Sequence, residues 1–216
     1  MKNLLFVLMA MLVLSCGPNP TLIDFDDLST MTVLKNGTTN TVPVNVGDQF
    51  QVGDILTENN SGVRMIVMPF QWKTTPIQWT SDGFIQIEAG NKAGGGGNEV
   101  HFNNATLGII QPSNQSIIRA ELKFADFGGN INLIENGAVR NENDFTAITS
   151  PTPTGLILNV NASPTGGALK GMIELSGTMN SFTFPGPMPP IAENKQFQFV
   201  MGGGQELWID DLEFWF

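Results

Sequence analysis

Residues 69–79, PFQWKTTPIQW, set Trp72 and Trp79 among Gln71, Lys73 and Gln78. An indole offers a flat apolar face that stacks on the apolar side of a sugar ring, and neighbouring amide or ammonium groups supply hydrogen bonds to the hydroxyls. This is the chemistry of holding a glycan, not of cleaving one. The competing reading is burial of both indoles, as expected for Trp208 and Trp215 of the last strand. It weighs more on Trp79 than on Trp72, which follows an apolar run and precedes a loop.

Groups suited to catalysis are sparse. His101 is the single histidine and lies beside Phe102 in a strand-like stretch, so any Ser-His-Asp arrangement would have to use it. No Gly-x-Ser-x-Gly elbow and no histidine pair for zinc is present. Glu99, Glu121, Glu174, Asp126 and Asp144 lie on or near strands and include potential pairs for glycosidic cleavage, but an acidic β-protein carries such residues anyway. The expectation is a non-catalytic protein in which His101 is half-buried and structural. Residues 94–97 are four successive glycines; without a following Lys-Ser/Thr and helix they form no phosphate loop, and they suit close backbone approach or a flexible loop.

The elements that position these groups read as strands. Residues 205–216, QELWIDDLEFWF, alternate as Leu207 and Ile209 on one parity and Leu212, Phe214 and Phe216 on the other, with the break at Asp210-Asp211. A β-bulge there puts both apolar sets on one face. Residues 21–28, TLIDFDDL, repeat the grammar: Ile23 and Phe25 change parity to Leu28 across Asp26-Asp27. The two segments are expected to lie side by side. Residues 63–72 are apolar on both parities, as in a strand buried on two faces, with Pro69 at a bulge or an edge. Residues 117–124 alternate as a half-solvated strand, with Ile118, Ala120, Leu122 and Phe124 on one face. Asn136-Gly137 marks a hairpin, and residues 155–160 and 169–175 pair across 164–167. No stretch of the mature chain keeps a helical period over ten residues, so ten to twelve strands are expected, in a two-sheet all-β sandwich of jelly-roll kind.

Composition agrees. The 216 residues include 24 Gly, 13 Pro and no Tyr, with only 14% charged, which favours many tight turns and one β-domain without an internal repeat. A net charge of −10 argues against a nucleic-acid partner, whose phosphates need a cationic stripe, and disfavours an anionic membrane surface. The scattered acidic excess reads as solubility.

Residues 1–16, MKNLLFVLMAMLVLSC, carry a basic start at Lys2, an apolar run too short to span a bilayer comfortably, and small Ser15 before the sole cysteine. Val13-Leu14-Ser15-Cys16 resembles the lipobox of bacterial lipoproteins. The resemblance implies cleavage before Cys16, lipidation of its sulfur and acylation of the new amino terminus, which together would hold the protein at a membrane. Domain boundaries follow: signal peptide 1–15, lipidated Cys16 and a stiff Gly-Pro-Asn-Pro tether to residue 20, and a β-domain over 21–216. No cysteine remains for a disulfide. Gly17 in place of Asp after the cysteine implies the outer membrane of a bacterial envelope.

The pairing of IDFDDL with LWIDDLEF resembles the galactose-binding-type jelly roll of many carbohydrate-binding modules, whose first and last strands are often neighbours. Residues 94–107, 123–137 and 202–214 are also similar to a group of secreted bacterial proteins. The stretch 185–196, with its PGPMPP run, departs from a plain hairpin before the last strand. Many such jelly rolls hold a structural Ca²⁺ ion, which takes roughly six to eight oxygens. Asp26, Asp210, Asp211 and Glu99, with Asp24 and Asp27, are the carboxylates available; capping of bulges or facing solvent is the alternative role for the aspartates. The resulting expectation is an envelope-anchored lipoprotein that binds a glycan through Trp72, Trp79, Gln71, Lys73 and Gln78. An accessory or adhesion subunit that binds another envelope protein is the second reading, and a glycoside-active enzyme the third.

Overall fold

The structure, a computed structural model, describes residues 20–112 and 116–216. The signal peptide, Cys16 and residues 17–19 of the tether lie outside the described residues. The strands in chain order are β1 (Thr21–Ile23), β2 (Met31–Leu34), β3 (Thr41–Pro43), β4 (Gln49–Gln51), β5 (Ile55–Glu58), β6 (Arg64–Trp72), β7 (Gln78–Thr80), β8 (Phe84–Ala89), β9 (Asn98–Asn103), β10 (Ala105–Ile110), β11 (Ile117–Asp126), β12 (Ile131–Glu135), β13 (Ala138–Glu142), β14 (Ile157–Thr165), β15 (Ala168–Met179), β16 (Phe199–Gly203) and β17 (Leu207–Trp215). The described residues thus hold seventeen strands where the pattern suggests ten to twelve. The surplus comes from three-residue pieces such as β1, β3, β4 and β7, too short to show a period of two.

All pairings are antiparallel and build a two-sheet β-sandwich. One sheet runs β14-β15-β11-β17-β9-β8-β4, with β1 also on β17; the other runs β13-β12-β16-β10-β6-β5-β2-β3, with β7 on β6. Between the sheets lies a continuous apolar core that includes Phe50, Phe102, Phe124, Phe199 and Phe214.

The first and last strands are neighbours: Ile23 pairs with Leu212 and Thr21 with Phe214. The β11–β17 register slips between Glu121 and Lys123, and Asp211 takes a φ of 47°. This is the bulge that the parity break implies, and Leu207, Ile209, Leu212 and Phe214 all enter the core. One edge of β17 is consequently shared, by β9 over residues 207–209 and by β1 over 212–214.

Two expectations about faces are corrected. Trp208 and Trp215 point away from the inter-sheet core, because the bulge gives the inner face to their neighbours; Trp208 is buried instead under His101, Lys92 and Phe127, and Arg119 covers Trp215. Ile117 is buried and Ile118 exposed, the reverse of the simple alternation, because a second slip between Ile117 and Arg119 shifts the start of β11. Pro69 falls where β5 has ended and β7 has not begun along β6, a locally open edge that tolerates the missing N–H. Asn136 and Gly137 both have positive φ, 49° and 80°, and close the β12–β13 hairpin. Residues 181–197 strap the outer face of the second sheet: Phe182 pairs with Phe197, and Phe184 packs with Ile66, Met68, Ile134 and Val200 in a second apolar cluster.

Candidate functional site

The β6–β7 hairpin and the hairpin formed by β12 and β13 meet at one pole of the sandwich. Asn132, fully buried, accepts from Gln71 N at 2.8 Å and donates to Gln71 O at 2.9 Å, and Asn141 also donates to that carbonyl. These amides replace the missing ladder partners and hold the end of β6 beside β13. Between them opens a groove of about 340 Å³. Gln71, Trp72, Lys73, Thr74, Thr75 and Ile77 form one wall; Val139, Arg140, Asn141 and Glu142 form the other. Trp72 is half-buried, its ring edge-on to Phe70 at 5.2 Å and resting on Gly204, where an added Cβ would come within 3.2 Å of the indole. Lys73 Nζ lies 2.6 Å from Glu142 Oε2.

The other two sugar-contact candidates sit elsewhere. Trp79 packs against Phe184 at 5.2 Å within the strapped cluster, and Gln78 is exposed on β7 opposite Trp72; neither lines the groove. The far wall comes from a strand tens of residues downstream, and no sequence signal links Arg140, Asn141 or Glu142 to Trp72.

The groove lies opposite the point where the chain enters the domain. Thr21 and its partner Phe214 share a row with Ala120, near the Ile117 start of β11. Leu207, Asp126 and Phe102 mark the far end of the same sheet, where β9 crosses to β10; Ala105 of β10 pairs with Pro69, three residues before Trp72.

A second cluster forms where β9, β17 and the segment after β1 meet. Glu99 and Asp210, 0% and 1% exposed, follow the last rung, Val100–Ile209, of the β9–β17 pairing. Glu99 Oε2 accepts from Ala93 N at 2.8 Å and Asp210 Oδ1 from Asp211 N at 2.8 Å, while Glu99 Oε1 and Asp210 Oδ2 are buried without a partner. Asp26 accepts from Asn98 N, and Asn98 Nδ2 donates to Phe25 O at 3.0 Å. The glycine run folds directly over these carboxylates: an added Cβ would overlap Asp210 at Gly95 and Asp26 at Gly97, and at Gly90 it would lie 2.5 Å from Glu99 Oε1. Burial, with the charges of Asp211, Asp26 and Asp24, pushes the Asp210 carboxyl up to about 7. Asp211 itself turns to the Lys123 ammonium, and Asp27 caps a short turn through Ser29 N.

Two carboxylate oxygens are thus left without partners under a side-chain-free loop. Among the described residues no three Asp, Glu, His or Cys side chains converge as a ready-made cage. Of the expected calcium ligands, Glu99 and Asp210 are buried and Asp26 is exposed beside the glycine loop.

His101 stacks on Trp208 at 4.2 Å and 6°, with its Nδ1 2.9 Å from Glu88 Oε1. Trp208 Nε1 donates to Glu88 Oε2 at 3.0 Å, and Lys92 sits 3.8 Å over the indole. Burial holds the His101 pKa below its ordinary value against the pull of Glu88. Lys92 and Ala93, which lead into the glycine loop, close over the stack, and His101 Nε2 is buried without a partner.

Asp126 and Asp144 line a smaller depression of about 230 Å³, also at the groove pole. Burial, chiefly, and the Asp144 charge push Asp126 up to about 6, against a hydrogen bond from Gly128 N at 2.9 Å. The raised value means the fold favours the protonated acid, so this contribution to stability is present below the ordinary carboxylate pKa and is lost as pH rises through about 6. Asp126→Asn is expected to stabilise the protein more at pH 7.5 than at pH 3.5, by on the order of 1–2 kcal/mol after allowance for solvent screening. Urea midpoints at both values check this; an equal effect at both would show that the carboxyl is not strained.

Comparison with family models, with curated proteins and with solved structures gave no match to this chain.

Proposed function

We propose that this chain is a lipid-anchored bacterial envelope protein whose galactose-binding-type jelly roll holds a glycan without transforming it. The Trp72 groove is its ligand site, and a calcium ion at Asp26, Asp210 and Glu99 braces the fold. The observation that supports the reading best is an indole half-buried in a groove lined by amide, hydroxyl and charged side chains, at the pole away from Thr21. A protein acylated at Cys16 would present that pole to whatever lies beyond the lipid surface. Aromatic stacking supplies affinity while neutral side chains set orientation. The locked environment of His101 supports binding over nucleophilic catalysis.

Glycan-array binding tests the proposal. Trp72→Ala is expected to weaken binding at least tenfold, about 1.4 kcal/mol, whereas Met172→Ala on the outer face of the other sheet leaves it unchanged. Binding that survives Trp72→Ala would move the ligand site elsewhere. Capture of an envelope protein with no glycan retained would favour the accessory-subunit reading, and turnover of a polysaccharide, abolished by one carboxylate substitution, the enzymatic one.

A further inference from the structure

We infer that the Trp72 groove takes an uncharged glycan, and that the Lys73–Glu142 ion pair across its mouth is the element that turns acidic glycans away. The inference rests on the glycan reading above and goes on to name the class of sugar.

The groove has two cationic side chains, and neither is free for an anion. Lys73 reaches from the loop after β6 to Glu142 on β13 at 2.6 Å, so the ammonium is neutralised by the opposite wall. Arg140 is turned away: its Nη1 donates to Val139 O at 3.2 Å, and its Nη2 lies 3.8 Å from Oε1 of the fully buried Glu135. The Arg140 Nε and Nη2 atoms are themselves buried and without a hydrogen-bond partner, although the residue lines the groove wall. The polar groups that remain are neutral: the Gln71 amide and the Thr74 and Thr75 hydroxyls beside Trp72. The Gln71 amide and Thr75 hydroxyl can donate to and accept from sugar hydroxyls, and Thr74, whose hydroxyl donates to Pro76 O at 2.9 Å, can accept; none can neutralise a carboxylate or sulfate. An anion would have to displace Glu142 from Lys73 and leave that carboxylate facing like charge, on a chain whose net charge is already −10. Uncharged rings pay neither penalty.

The same geometry supplies a switch. Glu142→Gln keeps the shape of the wall and releases the Lys73 ammonium into the groove. The pair is solvent-accessible, with side-chain exposures of 47% and 32%, so its control over selectivity is modest and salt-sensitive.

The test is titration calorimetry of the full chain in detergent with three probe sets: neutral gluco-, manno-, galacto- and N-acetylglucosamine oligosaccharides, uronate oligosaccharides, and sulfated oligosaccharides. The wild type is expected to bind a neutral member and not the acidic ones. Glu142→Gln is expected to raise the ratio of uronate or sulfate affinity to neutral-glycan affinity about fivefold at low salt, a gain that disappears at ~0.5 M salt. Unchanged melting of the variant excludes a folding artefact. Wild-type preference for an acidic glycan would overturn the inference and leave the glycan reading standing. Failure of Glu142→Gln to gain any acidic binding would overturn the role of the ion pair. Absence of binding in all three sets would overturn both this inference and the glycan reading.

Discussion

Adding calcium to the metal-free protein is expected to raise its melting temperature by about 5–10 °C, and chelation to return it. Stabilisation by a ligand present at a hundred times its dissociation constant is about 2.7 kcal/mol, and each kcal/mol moves the midpoint of a domain this size by roughly 2–4 °C. The physical source is the pit under the glycine loop, where Glu99 Oε1 and Asp210 Oδ2 are buried without partners. Under the proposal, a cation there would replace an unfavourable desolvated charge with coordination and would join Asp26 after β1, the loop, and the last strand. Asp210→Asn separates this cause from general ionic effects. Without metal the variant is expected to melt no lower than the wild type, because a neutral amide is cheaper to bury than a carboxylate. It should also lose the calcium response. A calcium shift that persists in Asp210→Asn would place the ion elsewhere, and no shift in the wild type would assign the aspartates to turn capping alone.

Phe214→Ala is expected to cost about 3–5 kcal/mol and lower the melting temperature by roughly 10 °C or more, whereas Glu213→Ala on the opposite face should stay within about 0.5 kcal/mol. Phe214 is fully buried and meets Phe199 of the other sheet at 6.3 Å. Its strand pairs with β11 on one edge and with β9 and β1 on the other, so the cavity opens in the middle of the sandwich. The contrast between adjacent residues is a direct test of the bulge. Without the extra residue at Asp210-Asp211, Leu207 and Phe214 could not both face inward, and the two substitutions would exchange their effects. Thermal unfolding followed by circular dichroism resolves the difference.

The bulge was legible because it violates a strict rule. A strand has a side-chain period of two, and two apolar sets of opposite parity across a polar pair leave few other solutions. The neighbourhood of first and last strands was legible through their matching grammar, and the β12–β13 hairpin through Asn136-Gly137. Local chemistry also offered close backbone approach, or a flexible loop, for the four glycines. It could not say that the backbone approaches carboxylates, since Asp26 and Asp210 lie on either side of the loop in sequence and reach it only through sheet pairing. Trp72 and Trp79 show the same limit. They share a hairpin and similar neighbours, yet one lines a groove and the other lies beneath the 181–197 strap, a difference made by where Phe184 and β13 arrive.

The amino-acid sequence by itself determined that this is a helix-poor, acidic, two-sheet β-protein with its first and last strands paired and its last strand bulged. Those properties follow from period, turn chemistry and charge, which are local. Only the tertiary structure decided which tryptophan lines a groove, which carboxylates are stranded without partners, and that Glu142 neutralises Lys73. Each of these depends on the register between strands far apart in the chain, and register is set by the packing of the whole core.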